Sequence, residues 1–210
     1  MKKTIIAIIL IILIAGCIGN ENPNKNQKFY AGNYRNFRAN LDYAENITVS
    51  PNEDAIRQIL LSNFVERIHV LYIPEEAENS FYLASTFEIS NKLTLIYRFN
   101  FQENMDIDVY TDEFDFTCLV FFSRFESGAF INRCFGSAPI DDIQEAYDIA
   151  DEANPVVLLL GPSQTNRTGI FIKDYVIRLE GKDFSEEDRL WTDLDLSVAK
   201  MILELMETNN

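Results

Sequence analysis

The side chains able to do chemistry are few and scattered. His69 is the only histidine, set in the strand-like run Arg67-Ile68-His69-Val70-Leu71. A serine or cysteine nucleophile working with a histidine base would depend on it, whereas a lone strand histidine is ordinarily packed or half-exposed. With one histidine and widely separated cysteines, the four soft ligands of a zinc site are not available. Ser197 and Lys200 stand one helical turn apart, close enough for an amine to take a hydroxyl proton. The Ser-Asp-Asn and Lys-Thr-Gly companions of that chemistry are missing, and the pair lies deep in an amphipathic segment near the chain end.

The acidic run whose spacing best suits chemistry is Asp106-Ile107-Asp108-Val109-Tyr110-Thr111-Asp112. Strand periodicity places Asp106, Asp108, Tyr110 and Asp112 on one face. Three carboxylates there could hold a hard cation such as calcium, or do acid–base work if their proton affinities were pushed apart. Tyr110 and Thr111 occupy positions that an EF-hand gives to a ligand and a glycine, so the run is not that motif. A charged edge strand that resists unwanted pairing explains the same pattern. The Gly161-Pro162-Ser163-Gln164-Thr165-Asn166 loop follows an apolar run, as phosphate loops do, but lacks their Gly-Lys-Ser/Thr ending and leads into another strand. No catalytic residue, resident metal or cofactor is expected from these patterns.

Cys118 and Cys134 lie in two apolar runs, 116–122 and 129–135, separated by a polar stretch that reads as a hairpin loop. A turn centred on Glu126 sets the two thiols opposite each other, at a spacing a disulfide can bridge. Two reduced core cysteines remain the alternative. Glycosylation acceptors occur at Asn46-Ile47-Thr48 and Asn166-Arg167-Thr168, both in expected loops.

The third cysteine, Cys17, closes a different pattern. Lys2 and Lys3 precede an uncharged apolar run, 4–18, that is shorter than the ~20 residues a membrane-crossing helix needs. The length suits a secretion leader. The run ends Leu13-Ile14-Ala15-Gly16-Cys17, with small residues before the cysteine. This ending resembles the lipobox of exported lipoproteins. The resemblance covers about the first twenty residues and implies cleavage before Cys17 and lipidation of its thiol. A short uncleaved anchor is the alternative, and it would leave the rest of the chain on the same side of the membrane. An Asn-rich polar stretch follows, too hydrophilic to bury. Next, Lys28, Phe29, Tyr30, Tyr34, Arg35, Phe37 and Arg38 mix cations with aromatics. They could rest on lipid headgroups or fold back onto an acidic domain.

The chain has 210 residues, 47% hydrophobic and 24% charged, the composition of a globular protein. Its formal charge is −15, and Lys2 and Lys3 belong to the leader, so the remainder is more acidic still. Such a surface repels phosphate backbones, and no nucleic-acid partner is expected. The elements that must position the candidate residues form an α+β plan: a largely antiparallel sheet with one N-terminal, one central and one C-terminal flanking helix. A helix is expected to start at Ser50-Pro51-Asn52-Glu53, with Ser as cap and Pro in the first turn. Strand-like runs follow at 64–73, 81–89, 93–101, 106–111, 116–122 and 129–135, joined by short polar links such as Ser90-Asn91-Lys92. Short links favour antiparallel neighbours. Pro139 is expected to open a helix that Asn154-Pro155 stops. A buried strand, 156–160, a hairpin, 170–172 with 175–179, and a last helix, 192–206, complete the order. This C-terminal unit, roughly the last 55 residues, resembles segments of archaeal exported proteins of unassigned function, which implies no activity.

The division expected is therefore a signal peptide at 1–16, a lipid-anchored polar tether at 17–41 and one α+β domain at 42–210. The expected location is the outer side of the cell membrane. The role expected there is binding or scaffolding, with an envelope protein or glycan as partner. An extracytoplasmic hydrolase using carboxylate acid–base chemistry is the alternative.

Overall fold

A computed structural model describes residues 37–75, 79–101, 105–111, 117–123, 130–184 and 191–206. The compact unit begins at Phe37, inside the stretch read as tether. Its elements run α1 (Leu41–Ala44), β1 (Val49–Ser50), α2 (Asp54–Leu60), β2 (Arg67–Tyr72), α3 (Asn79–Phe101), β3 (Met105–Thr111), β4 (Thr117–Ser123), β5 (Phe130–Pro139), α4 (Ile143–Ile149), β6 (Val156–Leu160), β7 (Gly169–Lys173), β8 (Val176–Glu180) and α5 (Asp193–Met206).

The strands form one eight-stranded sheet in the order β1-β7-β8-β6-β2-β5-β4-β3. The class is α+β as expected, but the sheet is mixed rather than largely antiparallel. Its four central strands, β8, β6, β2 and β5, are mutually parallel. Antiparallel pairs occur towards the two edges, β7 with β8 on one side and β5 with β4 and β3 on the other. The difference traces to residues 79–101. Two strands were expected there; one helix of 23 residues stands instead. Its buried residues include Tyr82, Ser85, Thr86, Ile89, Leu93, Ile96 and Tyr97, a helical spacing of three and four, with Glu88 and Lys92 beside them. Leu83 and Phe87 sit on the opposite side, 56% and 71% exposed, so apolar residues on both faces hide the period. Helical crossovers such as α3 and α4 let strands run parallel, which short links cannot do.

β6 is buried along its whole length. Val156, Leu158 and Leu160 pack with Leu71, Val176 and Ala146 of α4 on one face. The alternate residues Val157 and Leu159 are equally buried, which requires cover on the other face too. α3 and α5 provide helices there: α5 packs on β7 and β8, and the Tyr97 ring of α3 lies 5.5 Å from that of Phe135 in β5. Every residue of α5 is buried, because α1, α2 and α3 pack against it in addition to β7 and β8.

Local stops and starts differ from expectation in detail. Ser50 belongs to β1, and Asn52 takes over the capping of α2 by accepting from the Ala55 N–H at 3.0 Å. Pro139 ends β5 instead of opening α4. Asp142 caps that helix through the Glu145 N–H at 3.1 Å, and the Glu145 carboxylate accepts in return from the Asp141 N–H at 3.1 Å. The β7–β8 hairpin turns through Asp174 and Tyr175, both at positive φ (48° and 62°), as a two-residue turn matched to strand twist requires.

Candidate functional site

The expected cysteine pair is joined: Cys118 on β4 faces Cys134 on β5 and the two form a disulfide. The ladder has the register implied by a turn at Glu126, although loop residues 124–129 lie outside the described residues. Cys17 and Asp112 also lie outside them. Asp106 and Asp108 occupy alternate positions on β3, the outermost strand, paired with Phe122 and Val120 of β4. Among the described residues no group of three His, Cys, Asp or Glu side chains could hold a metal ion. Nor is any helix among them long and apolar enough to cross a membrane.

Ser197 and Lys200 are committed to other work. The Ser197 hydroxyl donates to the carbonyl of Glu180 at 2.8 Å. Lys200 Nζ sits 2.6 Å from both Glu53 Oε1 and Glu204 Oε1. Burial disfavours its charge, but the hydrogen bonds it donates to Glu204 and Glu53 outweigh burial and raise its pKa. A lysine held protonated cannot deprotonate a serine. His69 is half-buried on β2; burial first, then Arg67, lowers its pKa against an opposing pull from Asp151. Asn46 and Asn166 are exposed, as glycan acceptors must be.

A cleft of about 500 Å³ lies beyond the C-terminal ends of β6 and β8. Ligands in open parallel sheets favour this end of the strands. Ile143, Leu160 and Pro162 supply apolar lining, while Ser163, Gln164, Thr165 and Asn166 come from the loop after β6. That loop is held from below. The Tyr82 hydroxyl donates to Gln164 Oε1 at 2.7 Å and accepts from the Gly161 N–H at 3.0 Å, and Gln164 Nε2 donates to Glu75 at 3.1 Å.

Charge in the cleft centres on Glu180, the one carboxylate among its lining residues. Its Oε2 accepts from Thr165 Oγ1 at 2.6 Å and from Arg167 Nε at 2.6 Å, and Arg167 Nη2 reaches Oε1 at 3.0 Å. Arg178, two residues earlier on the same face of β8, has its Nε 3.4 Å from Oε1. Burial alone would raise the Glu180 pKa, but the Arg167 and Thr165 hydrogen bonds override it and the carboxyl titrates below its usual range. Glu180 is therefore a fixed anion and not an acid ready to give a proton. Phe171 lies opposite Arg178 in the ladder, with the Arg167 guanidinium 3.6 Å above its ring and that of Arg178 5.8 Å away.

A second charged cluster fastens the start of the fold. The Arg38 backbone N–H donates to Glu88 Oε1 at 3.3 Å, the Arg38 Nε lies 3.3 Å from Asp195 Oδ1, and Lys92 Nζ sits 4.4 Å from the Phe37 ring centre. Phe37 and Arg38 thus fold back onto α3 and α5. Burial pushes the Glu88 carboxyl up to about 7, with Asp195 adding to the rise and Arg38 and Lys92 opposing it. The fold-back of Phe37 and Arg38 is one of the two outcomes the sequence offered, but the side chains that receive them, and the Glu180 cluster, escaped sequence reasoning. The only local signals were Arg178 and Glu180 at strand spacing and Glu88 and Lys92 at helical spacing.

Comparison with known proteins adds no assignment: no family model, curated protein or solved structure matches the chain.

Proposed function

We propose that this chain is an exported protein, tethered through a lipid on Cys17 to the outer side of the cell membrane, where its folded unit binds a small ligand or an envelope component. The observation that carries this reading is the Cys118–Cys134 disulfide, a bond that persists in oxidising compartments and is rare in the cytosol. The order of the leader supports it: two lysines, an apolar run too short to span, and small residues before Cys17. The cleft beside Glu180 favours binding over hydrolysis. Carboxylate acid–base chemistry needs two carboxyls with proton affinities pushed apart, and this cleft offers one, held ionised by Arg167 and Thr165. Glu88, whose pKa is raised, is enclosed by Arg38, Lys92 and Asp195, away from the cleft lining.

Mass spectrometry of native protein from the membrane fraction tests the address. A mature N-terminus at Cys17 carrying a lipid adduct is the expected result. An intact Met1 with no adduct, on protein recovered from the cytosol, defeats the proposal.

A further inference from the structure

The cleft has a cation that its own surroundings satisfy only in part. Glu180 is the natural partner of Arg178, yet Thr165 and Arg167 take hydrogen bonds on both of its oxygens. Arg178 is left with an ion pair at 3.4 Å that makes no hydrogen bond, and its Nε is buried without an acceptor among the described residues. Its side chain is 26% exposed and lines the cleft. That Nε is sealed from solvent, so an anion entering the cleft would be met by the exposed quarter of the side chain, where charge-assisted hydrogen bonds can form. The charge count points the same way. Two guanidiniums and one carboxylate make the cleft locally cationic on a chain whose formal charge is −15. An acidic protein that concentrates arginine in a concavity selects for an oxyanion against its own general field.

The lining limits what can carry that anion. Leu160, Ile143 and Pro162 offer a small apolar floor, while Ser163, Asn166 and Arg167 stand at the loop side with polar groups. Such a mixture suits a compact hydroxylated body better than a flat aromatic or a long acyl chain. We propose that the cleft binds the carboxylate of a small hydroxylated acid, of the sugar-acid class, with Arg178 as its principal contact and Arg167 as its second. Glu180 then plays a double part: it orders Arg167 and competes with the ligand for both guanidiniums. This inference rests on the reading of the cleft as a binding site, and it is independent of the lipid anchor.

The test is a titration of the full chain in detergent micelles, followed by backbone amide NMR. The probes are glucuronate, glucose as its neutral analogue, inorganic phosphate, and an alginate oligosaccharide to separate a free acid from acidic units of a polymer. Glucuronate should saturably shift amides of the 161–167 loop and the end of β8, and glucose should not. Arg178→Gln should weaken glucuronate by about tenfold, the loss of one charge-assisted hydrogen bond. Arg167→Gln, at a half-exposed position, serves the same purpose should Arg178→Gln fail to fold. Glu180→Gln should instead strengthen binding, because the competing charge is gone while an amide oxygen remains for Thr165; a purely structural role for Glu180 predicts the opposite sign. A preference for the oligosaccharide over the monomer would assign the ligand to a polymer. Equal shifts with glucose, stronger binding of phosphate than of either carboxylate, or glucuronate affinity unchanged in both arginine variants would overturn the sugar-acid proposal while leaving a binding cleft. Silence of the cleft amides to every probe would remove the cleft as a small-ligand site as well.

Discussion

Replacing Glu88 by glutamine should stabilise the protein, and more so as pH rises. Glu88 is 7% exposed, its Oε1 accepts only a long hydrogen bond from the Arg38 N–H, and its Oε2 is buried without a partner among the described residues. Burial and the nearby Asp195 raise its pKa from 4.5 to about 7. Each pKa unit corresponds to about 1.4 kcal/mol, so the ionised carboxylate costs the folded state about 3 kcal/mol. The sign follows from proton binding. Below the unfolded value both states hold the proton and the group contributes nothing. As pH rises towards about 7, the unfolded chain has lost the proton while the folded one keeps it, and stability falls. Above that, the full cost is present. Glutamine imitates the protonated acid and keeps an oxygen for Arg38. Urea unfolding of the two proteins, near pH 5 and near pH 8, should show the variant ahead by about 1 and about 3 kcal/mol respectively. Titration of His69 is common to both proteins and cancels in the comparison. A gap that stays constant across this range, or a variant less stable at the higher pH, would refute the argument that the carboxyl is strained by burial.

Other consequences can be measured alongside. Replacing both Cys118 and Cys134 by alanine should lower stability by about 3 kcal/mol, since their bond closes a loop across 16 positions of the chain; thermal melting of the wild type with and without reductant should reproduce the loss. Gly181→Ala should cost about 3 kcal/mol by denaturant titration, because an added Cβ would lie 2.4 Å from the Leu194 backbone nitrogen at the start of α5. Lys200→Met should cost a similar amount, about 3 kcal/mol, by removing the cation that pairs with the buried Glu204 carboxylate at 2.6 Å; the double change Lys200→Met with Glu204→Gln should recover much of it. Acylation of Ser197 by a β-lactam probe would contradict the finding that Lys200 is held protonated.

The features readable from the amino-acid order are those whose signal is local. Val156–Leu160 announces a buried strand because five consecutive apolar residues need cover on both faces. The Cys118–Cys134 pairing follows from one hairpin, in which alternation and a short turn set the register over a few residues. α5 is recognisable because its dense apolar residues keep helical spacing and its polar ones tolerate pairing within reach. α3 resists such reading: Leu83 and Phe87 add apolar residues to its exposed side, so neither period prevails. The parallel order of β8, β6, β2 and β5 also resists it, since β2 and β5 meet across some sixty intervening positions and nothing in either strand names its neighbour. The charged clusters depend on that long-range order. Arg38, Glu88 and Asp195 come from three distant parts of the chain. Thr165 and Arg167 reach Glu180, whose strand also carries Arg178, only once β8 lies beside β6 and the loop closes over their ends. Periodicity is a property of neighbours in sequence; the proton affinity of Glu88 and the unbonded Nε of Arg178 are properties of what folding buries around them.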